Sequence, residues 1–186
     1  TKNLGCYGDG GALVTNNSIL SKKARMIKNH GQKNKYNHHI IGVNSRLDTI
    51  QAIILNSKLN ILNKNTRKRE INANFYDENL KNVKDIIIPR RVSFSDHVFH
   101  QYTIKVLRNK RNFLREKLKE RGIPTIVYYP KSINQQKAYR NMFNSKKKFH
   151  VSEKLAKEVL SLPVHPYLNK RNLEFISKNI KDILND

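Results

Sequence analysis

The chain has 186 residues, with 37 Lys and Arg against 14 Asp and Glu for a net charge of +23, and a single cysteine. That length suits one compact domain or two small ones. No apolar run approaches a membrane span and no signal peptide is visible, while Cys6 alone excludes an internal disulfide framework and fits a reducing, cytoplasmic compartment.

The positive surplus raises nucleic acid or another anionic surface as a partner. Yet the basic residues are dispersed among Asn and Ile, with no dominant block. Such a pattern reports solubility and non-specific binding better than a dedicated site.

The chain opens on TKNLGCYGDGGALVTNN, with four of its seven glycines in the first eleven residues. GALVT (residues 11–15) reads as a short strand and Asn16-Asn17 as a turn. Ser18 is a candidate N-cap for a helix from Ile19 to Asn29, with Ile19, Leu20, Ala24 and Ile27 on one face and Gly31 closing it. A polar, histidine-containing loop follows.

From Arg46 the pattern is strongly helical. Leu47, Ile50, Ile54, Lys58 and Ile61 trace an i, i+3, i+4 stripe, and a more polar helix continues to about Leu80. Pro89 and RRVSFSD connect to a new unit. Alternation across Val98–Val106 predicts a strand, Asn112–Arg121 a helix stopped by Gly122, and Pro124–Tyr129 a second strand. Helices over Ser152–Leu160 and Asn169–Leu184 flank the connection SLPVHPYL. This order implies an α/β or α+β unit.

Local chemistry is sparse. Gly5, Gly8, Gly10 and Gly11 lack the strand-before, helix-after context of a dinucleotide fingerprint and read as a tight turn. None of the seven histidines pairs with cysteine or carboxylate at zinc spacing, so no metal is expected. No G-x-S-x-G elbow is present. Lys2, taken alone, is a surface lysine.

Five blocks in order change that reading. They are the opening segment, RMIKNHGQKNKYNHHIIGVNSRLDTIQAIIL (Arg25–Leu55), HVFHQYTIKV (His97–Val106), GIPTIVYYPKSINQQKAY (Gly122–Tyr139) and LSLPVHPYL (Leu160–Leu168). Together they resemble the DegT/DnrJ/EryC1/StrS family of pyridoxal-phosphate nucleotide-sugar aminotransferases. The resemblance implies an α/β fold, the C-terminal part of a fold-type I aminotransferase. Residues 1–85 would close the large cofactor-binding domain, including a long connecting helix, and residues 86–186 would form the small domain.

By the same resemblance Lys2 matches the lysine that bonds the pyridoxal 5'-phosphate aldehyde and then moves a proton during transamination. Asn44 matches an asparagine that reaches the cofactor phosphate of the neighbouring subunit in a homodimer with shared active sites. Arg46 would contact an anionic substrate group, or make a surface ion pair. Tyr128, Tyr129 and Gln136 match a stretch that lines the sugar-nucleotide side. The implied substrates are a nucleotide-linked keto-sugar and glutamate as amino donor, in amino-sugar synthesis for surface polysaccharide.

Departures from the family pattern are Ser132 for a proline, Asn134 for a histidine, and Ile53 for an alanine, whose added bulk calls for local repacking. Family members are about twice this length, so the chain by itself is expected to lack part of the site and to be inactive. The alternatives are a non-catalytic remnant that pairs with a full-length homologue, and a basic nucleic-acid-binding module.

Overall fold

The computed structural model describes residues 2–139, 142 and 148–185. By its contacts the chain forms two compact units, Thr1–Asn63 and Lys64–Asp186, which meet within one long helix.

Unit 1 begins with an irregular segment to residue 17. GALVT is not a strand: no described segment pairs with it, and Leu13 and Val14 stand exposed, so β-propensity has no ladder to join. Helix α1 spans Ser18–Ile27. Its cap is Asn17 rather than Ser18, because Asn17 Oδ1 accepts from the amides of Ile19 and Leu20 at 2.9 and 3.1 Å.

The turn that follows the helix closes at Gly31, which sits at φ +75° and donates to Met26 O. A Cβ there would lie 1.6 Å from Ile40 O, so only glycine permits this crossing of the returning chain. The polar loop forms a small antiparallel hairpin, β1 (Gln32–Asn34) and β2 (Asn37–His38), which its composition does not announce.

Helix α2 runs over Thr49–Leu80, three residues shorter at its start than the periodicity suggests. Asp48 sets that start, its Oδ1 accepting from Gln51 N–H at 2.9 Å. The first part of α2 buries no side chain among the described residues, and Ile50 and Ile53 remain largely exposed. The extra bulk of Ile53 therefore requires no repacking within this chain.

The second part of α2 belongs to unit 2 and is different: Ala73, Tyr76 and Leu80 are fully buried. They pack with an antiparallel sheet ordered β3 (Ile86–Ile87), β4 (Tyr102–Val106) and β5 (Val159–Leu162). Along β4, Tyr102, Ile104 and Val106 point into the core, which is the period of two expected of a half-buried strand. Tyr102 opposes Leu162, and Ile104 opposes Leu160.

Val98–Gln101, read as part of this strand, lie outside it and lead into it; Phe99 adopts φ +42° and turns its ring into the core. The expected strand at Pro124–Tyr129 is reduced to one bridge, Ile126 with Ser161. Its place in the sheet goes to Val159–Leu162, whose first two residues read from sequence as the end of a helix and whose last two read as the start of the proline-marked connection. Helices α3 (Arg111–Glu120), α4 (His150–Glu158) and α5 (Lys170–Asn185) complete the unit, with Leu114, Leu118, Ile176 and Ile180 in the same core.

A polar knot ties α2 to β4 at the core's edge. Tyr102 Oη donates to Asp77 Oδ1 at 2.7 Å, and Arg91 donates twice to Asp77 Oδ2, at 2.9 and 2.6 Å. The Arg91 guanidinium also covers the Phe99 ring at 4.1 Å. Burial pushes the Tyr76 and Tyr102 phenols up, so both stay neutral donors.

Replacing Tyr102 by Phe removes the hydroxyl while Arg91 still holds Asp77. In urea denaturation of the chain this is expected to cost about 1–2 kcal/mol. Ile50→Ala on the exposed part of α2 is expected to change stability by less than about 0.5 kcal/mol.

Candidate functional site

In unit 1 the glycine-rich segment is held by α2. Gln51 Oε1 accepts from Tyr7 N–H at 2.8 Å, and Lys58 Nζ donates to Gly5 O at 2.6 Å while lying over the Tyr7 ring at 4.4 Å. Gly8 leaves no slack, since a Cβ there would lie 3.1 Å from Gln51 Nε2. Gln51 and Lys58 are seven residues apart, two turns of one helix face. Sequence reasoning quoted Gln51 within a motif and counted Lys58 only in a stripe; their spacing was the available signal for this shared role.

Lys2 lies at the exposed start of that segment, its amine without a hydrogen bond or ion pair among the described residues. Asn44 and Arg46 meet in a cleft of about 520 Å³ with Asp9, Gly10, Gly11 and Asp48. Leu47 beside them adopts φ +65°, a left-handed turn that separates Arg46 from the helix start at Thr49. Arg46 has no carboxylate within ion-pairing distance among the described residues, so the surface ion pair that was its alternative role is not formed.

Asn44 pairs with Asn29 through its backbone and keeps its side-chain amide uncommitted among the described residues. The structure thus groups Asn44 with Arg46, and Lys2 is not part of their cleft. An uncommitted amine, an amide and an unpaired guanidinium are the donors that an aldehyde bearing a phosphate would call for, and unit 1 carries all three.

Unit 2 carries the remaining candidates. Tyr128 and Tyr129 meet edge to face, with centroids 5.5 Å apart at 76°. Both line a cavity of about 380 Å³ between the 131–134 turn and α4, floored by Leu155, Ala156 and Val159. Gln136 does not line it; its side chain is exposed on the turn that follows.

Of the departures Ser132 and Asn134, the second acquires a role here. Asn134 Nδ2 donates to Glu153 Oε1 at 3.0 Å, and Phe149 N–H donates to the same oxygen at 3.3 Å, binding the tyrosine-bearing loop to α4. Ser132 Oγ is shielded from solvent without a protein partner. Among the described residues, no group of His, Cys, Asp and Glu is placed to hold a metal ion, and no helix is long and apolar enough to cross a membrane.

Comparison with known proteins follows the same outline. The model of the DegT/DnrJ/EryC1/StrS aminotransferase family matches residues 1–181. A pleiotropic regulatory protein of Geobacillus stearothermophilus is 42% identical over 184 residues, covering 98% of this chain and 49% of that protein. The UDP-2-acetamido-2-deoxy-3-oxo-D-glucuronate aminotransferase of Pseudomonas aeruginosa is 42% identical over 176 residues, 95% of this chain and 47% of its own length. The crystal structure of S. venezuelae DesV in complex with a ketimine intermediate superimposes with a TM-score of 0.93 at 34% identity, covering 99% of this chain and 49% of DesV. The chain spans about half the length of the curated relatives it matches.

The loop clamp has a titration signature. Hydrogen bonds from Asn134, then from the Phe149 amide, hold the Glu153 carboxyl below its ordinary value. Its contribution to stability is therefore present above the ordinary carboxylate range and is lost as pH falls through the depressed folded value. In an NMR titration Glu153 should ionise below the ordinary value of a glutamate carboxyl and move back toward it in Asn134→Ala. An unchanged Glu153 in that variant contradicts the clamp.

Proposed function

The chain belongs to the DegT/DnrJ/EryC1/StrS aminotransferase family, and from that membership we propose that it serves a sugar aminotransferase acting on a nucleotide-linked keto-sugar with glutamate as amino donor. The fold is α/β, that of the C-terminal part of a fold-type I aminotransferase. The family's cofactor is pyridoxal 5'-phosphate. What supports the reading most is that Lys2 and Asn44, which match the family's motifs, carry an amine and an amide left uncommitted among the described residues.

On this reading residues 1–85 end the large domain and 86–186 make the small one. Lys2 holds the cofactor covalently through Nζ, and Asn44 holds its phosphate through the side-chain amide, across a homodimer interface. When bound, the cofactor supplies an electron sink for breaking a C–H bond next to nitrogen.

The chain's own residues do the rest. Once the amino donor has taken its place on the cofactor, the freed Lys2 amine would take and return one proton. Arg46 anchors an anionic group of the substrate with its unpaired fork. Tyr128 and Tyr129 set apolar ring faces against the sugar and exclude water, while Gln136 offers an amide to a hydroxyl.

The exposed apolar residues of unit 1, Ile19, Ile50 and Ile53 among them, support a reading in which further polypeptide of the same fold covers this face. The chain alone is then inactive. Synthesis of amino sugars for surface polysaccharide, in the cytoplasm, is the setting this activity fits.

Two measurements test the proposal on the protein reconstituted with pyridoxal phosphate. Lys2→Ala should abolish the visible absorbance of covalently held cofactor and lower amino transfer by at least about 10²-fold. Asn44→Ala should keep the band but weaken cofactor retention. A full band in Lys2→Ala removes Lys2 from this role.

A further inference from the structure

Beside Tyr128, unit 2 holds a second cleft, of about 250 Å³. Ile126, Leu162 and Val164 contribute an apolar floor, and Arg69 and the imidazoles of His100 and His165 line it as well; among the described residues no acidic side chain does.

Arg69 is the unusual member. It is half-buried, and Nη1 donates to Phe99 O at 3.3 Å. Among the described residues, no carboxylate lies within ion-pairing distance of it. Desolvating a guanidinium without a counter-charge is costly, and neutralising it by proton loss is not open to arginine. The acid-free lining leaves that charge to be met by a ligand.

His165 adds a directed donor. Its Nδ1 accepts from Tyr167 N–H at 3.3 Å, which leaves Nε2 to carry the ring proton. Burial, then the Arg69 charge, hold this imidazole below its ordinary value, so near pH 7 it is a neutral N–H donor. One fixed cation flanked by imidazole, over an apolar floor, matches a singly charged planar anion on a small carbon skeleton better than a phosphate carrying two charges.

We propose that Arg69, with His100 and His165, forms a carboxylate-binding subsite. The inference rests on the sugar-aminotransferase reading for its two sources of ligand: the carboxylate of the amino donor or its keto acid, and the carboxylate of a uronic sugar.

The test is calorimetric titration of the protein, with the histidine ring resonances followed by NMR, using 2-oxoglutarate, UDP-glucuronate and UDP-glucose as probes. At least one carboxylate probe should shift the His100 and His165 signals, and its Kd should weaken about tenfold or more in Arg69→Gln, with Arg69→Lys between the two. Response to 2-oxoglutarate alone assigns the subsite to the amino donor. Tighter binding of UDP-glucuronate than of UDP-glucose, lost in Arg69→Gln, assigns it to the sugar.

Equal binding of the two sugar nucleotides with no response to 2-oxoglutarate overturns the subsite and leaves the sugar-aminotransferase reading intact. Response to 2-oxoglutarate with no sugar nucleotide bound supports the subsite and counts against the sugar substrate. Unchanged affinity in both Arg69→Gln and Arg69→Lys overturns it, whatever the probe. Because Arg69→Lys keeps the charge and the aliphatic stem, it covers the case in which Arg69→Gln fails to fold.

Discussion

Burial of the second part of α2 against the sheet is the contact on which unit 2 depends. Tyr76 and Tyr102 stack at 5.0 Å, Leu80 and Phe99 are sealed on either side, and Asp77 collects Tyr102 and Arg91 at the edge. An aspartate so close to a core is stable because all its hydrogen bonds come from matched donors, one of them charged. Without it, Arg91 would lose the anchor that brings the 89–99 connection onto the helix. Phe99 would then lose its cover, and the strand that begins at Tyr102 would start from a loose end.

The same helix organises unit 1 by a different means. Its first part has no fully buried side chain among the described residues, and Ile54, Leu55 and Leu62 are only partly covered, so hydrophobic packing is a minor part of its hold. It acts through Gln51 and Lys58, whose side chains take up an amide and a carbonyl of the irregular segment 5–8. A glycine-rich stretch has few side chains to pack and high backbone entropy, so its conformation has to come from such polar fixtures. Hydrogen bonds near the surface contribute little net energy each.

Much of the fold was legible, and the failures have causes. Helices α2, α3 and α5 follow from periodicity and Gly or Pro punctuation, since an amphipathic stripe is written locally. The misread strands share one reason: a strand is completed by its partner, which is distant in sequence. GALVT has the composition and no ladder; VLSL has a ladder and sits between a helix and a proline that hid it. For the candidate site, Lys2, Asn44, Arg46, Tyr128, Tyr129 and Gln136 came from motif resemblance. Their neighbours did not, because Gln51, Lys58 and Asn134 with Glu153 act through contacts between separated segments.

The sequence by itself determined the helices, the α/β class and the family, for these reside in local periodicity and in short motifs kept in order. Only the tertiary structure decided which strand completes the sheet, that Asn17 rather than Ser18 caps α1, and that among the described residues Arg46 and Arg69 have no carboxylate within ion-pairing distance while Arg91 has one. The reason is physical. Propensity and capping are properties of a few adjacent residues, whereas a hydrogen-bond partner or a counter-charge is supplied by whatever the packed chain brings within about 3–4 Å.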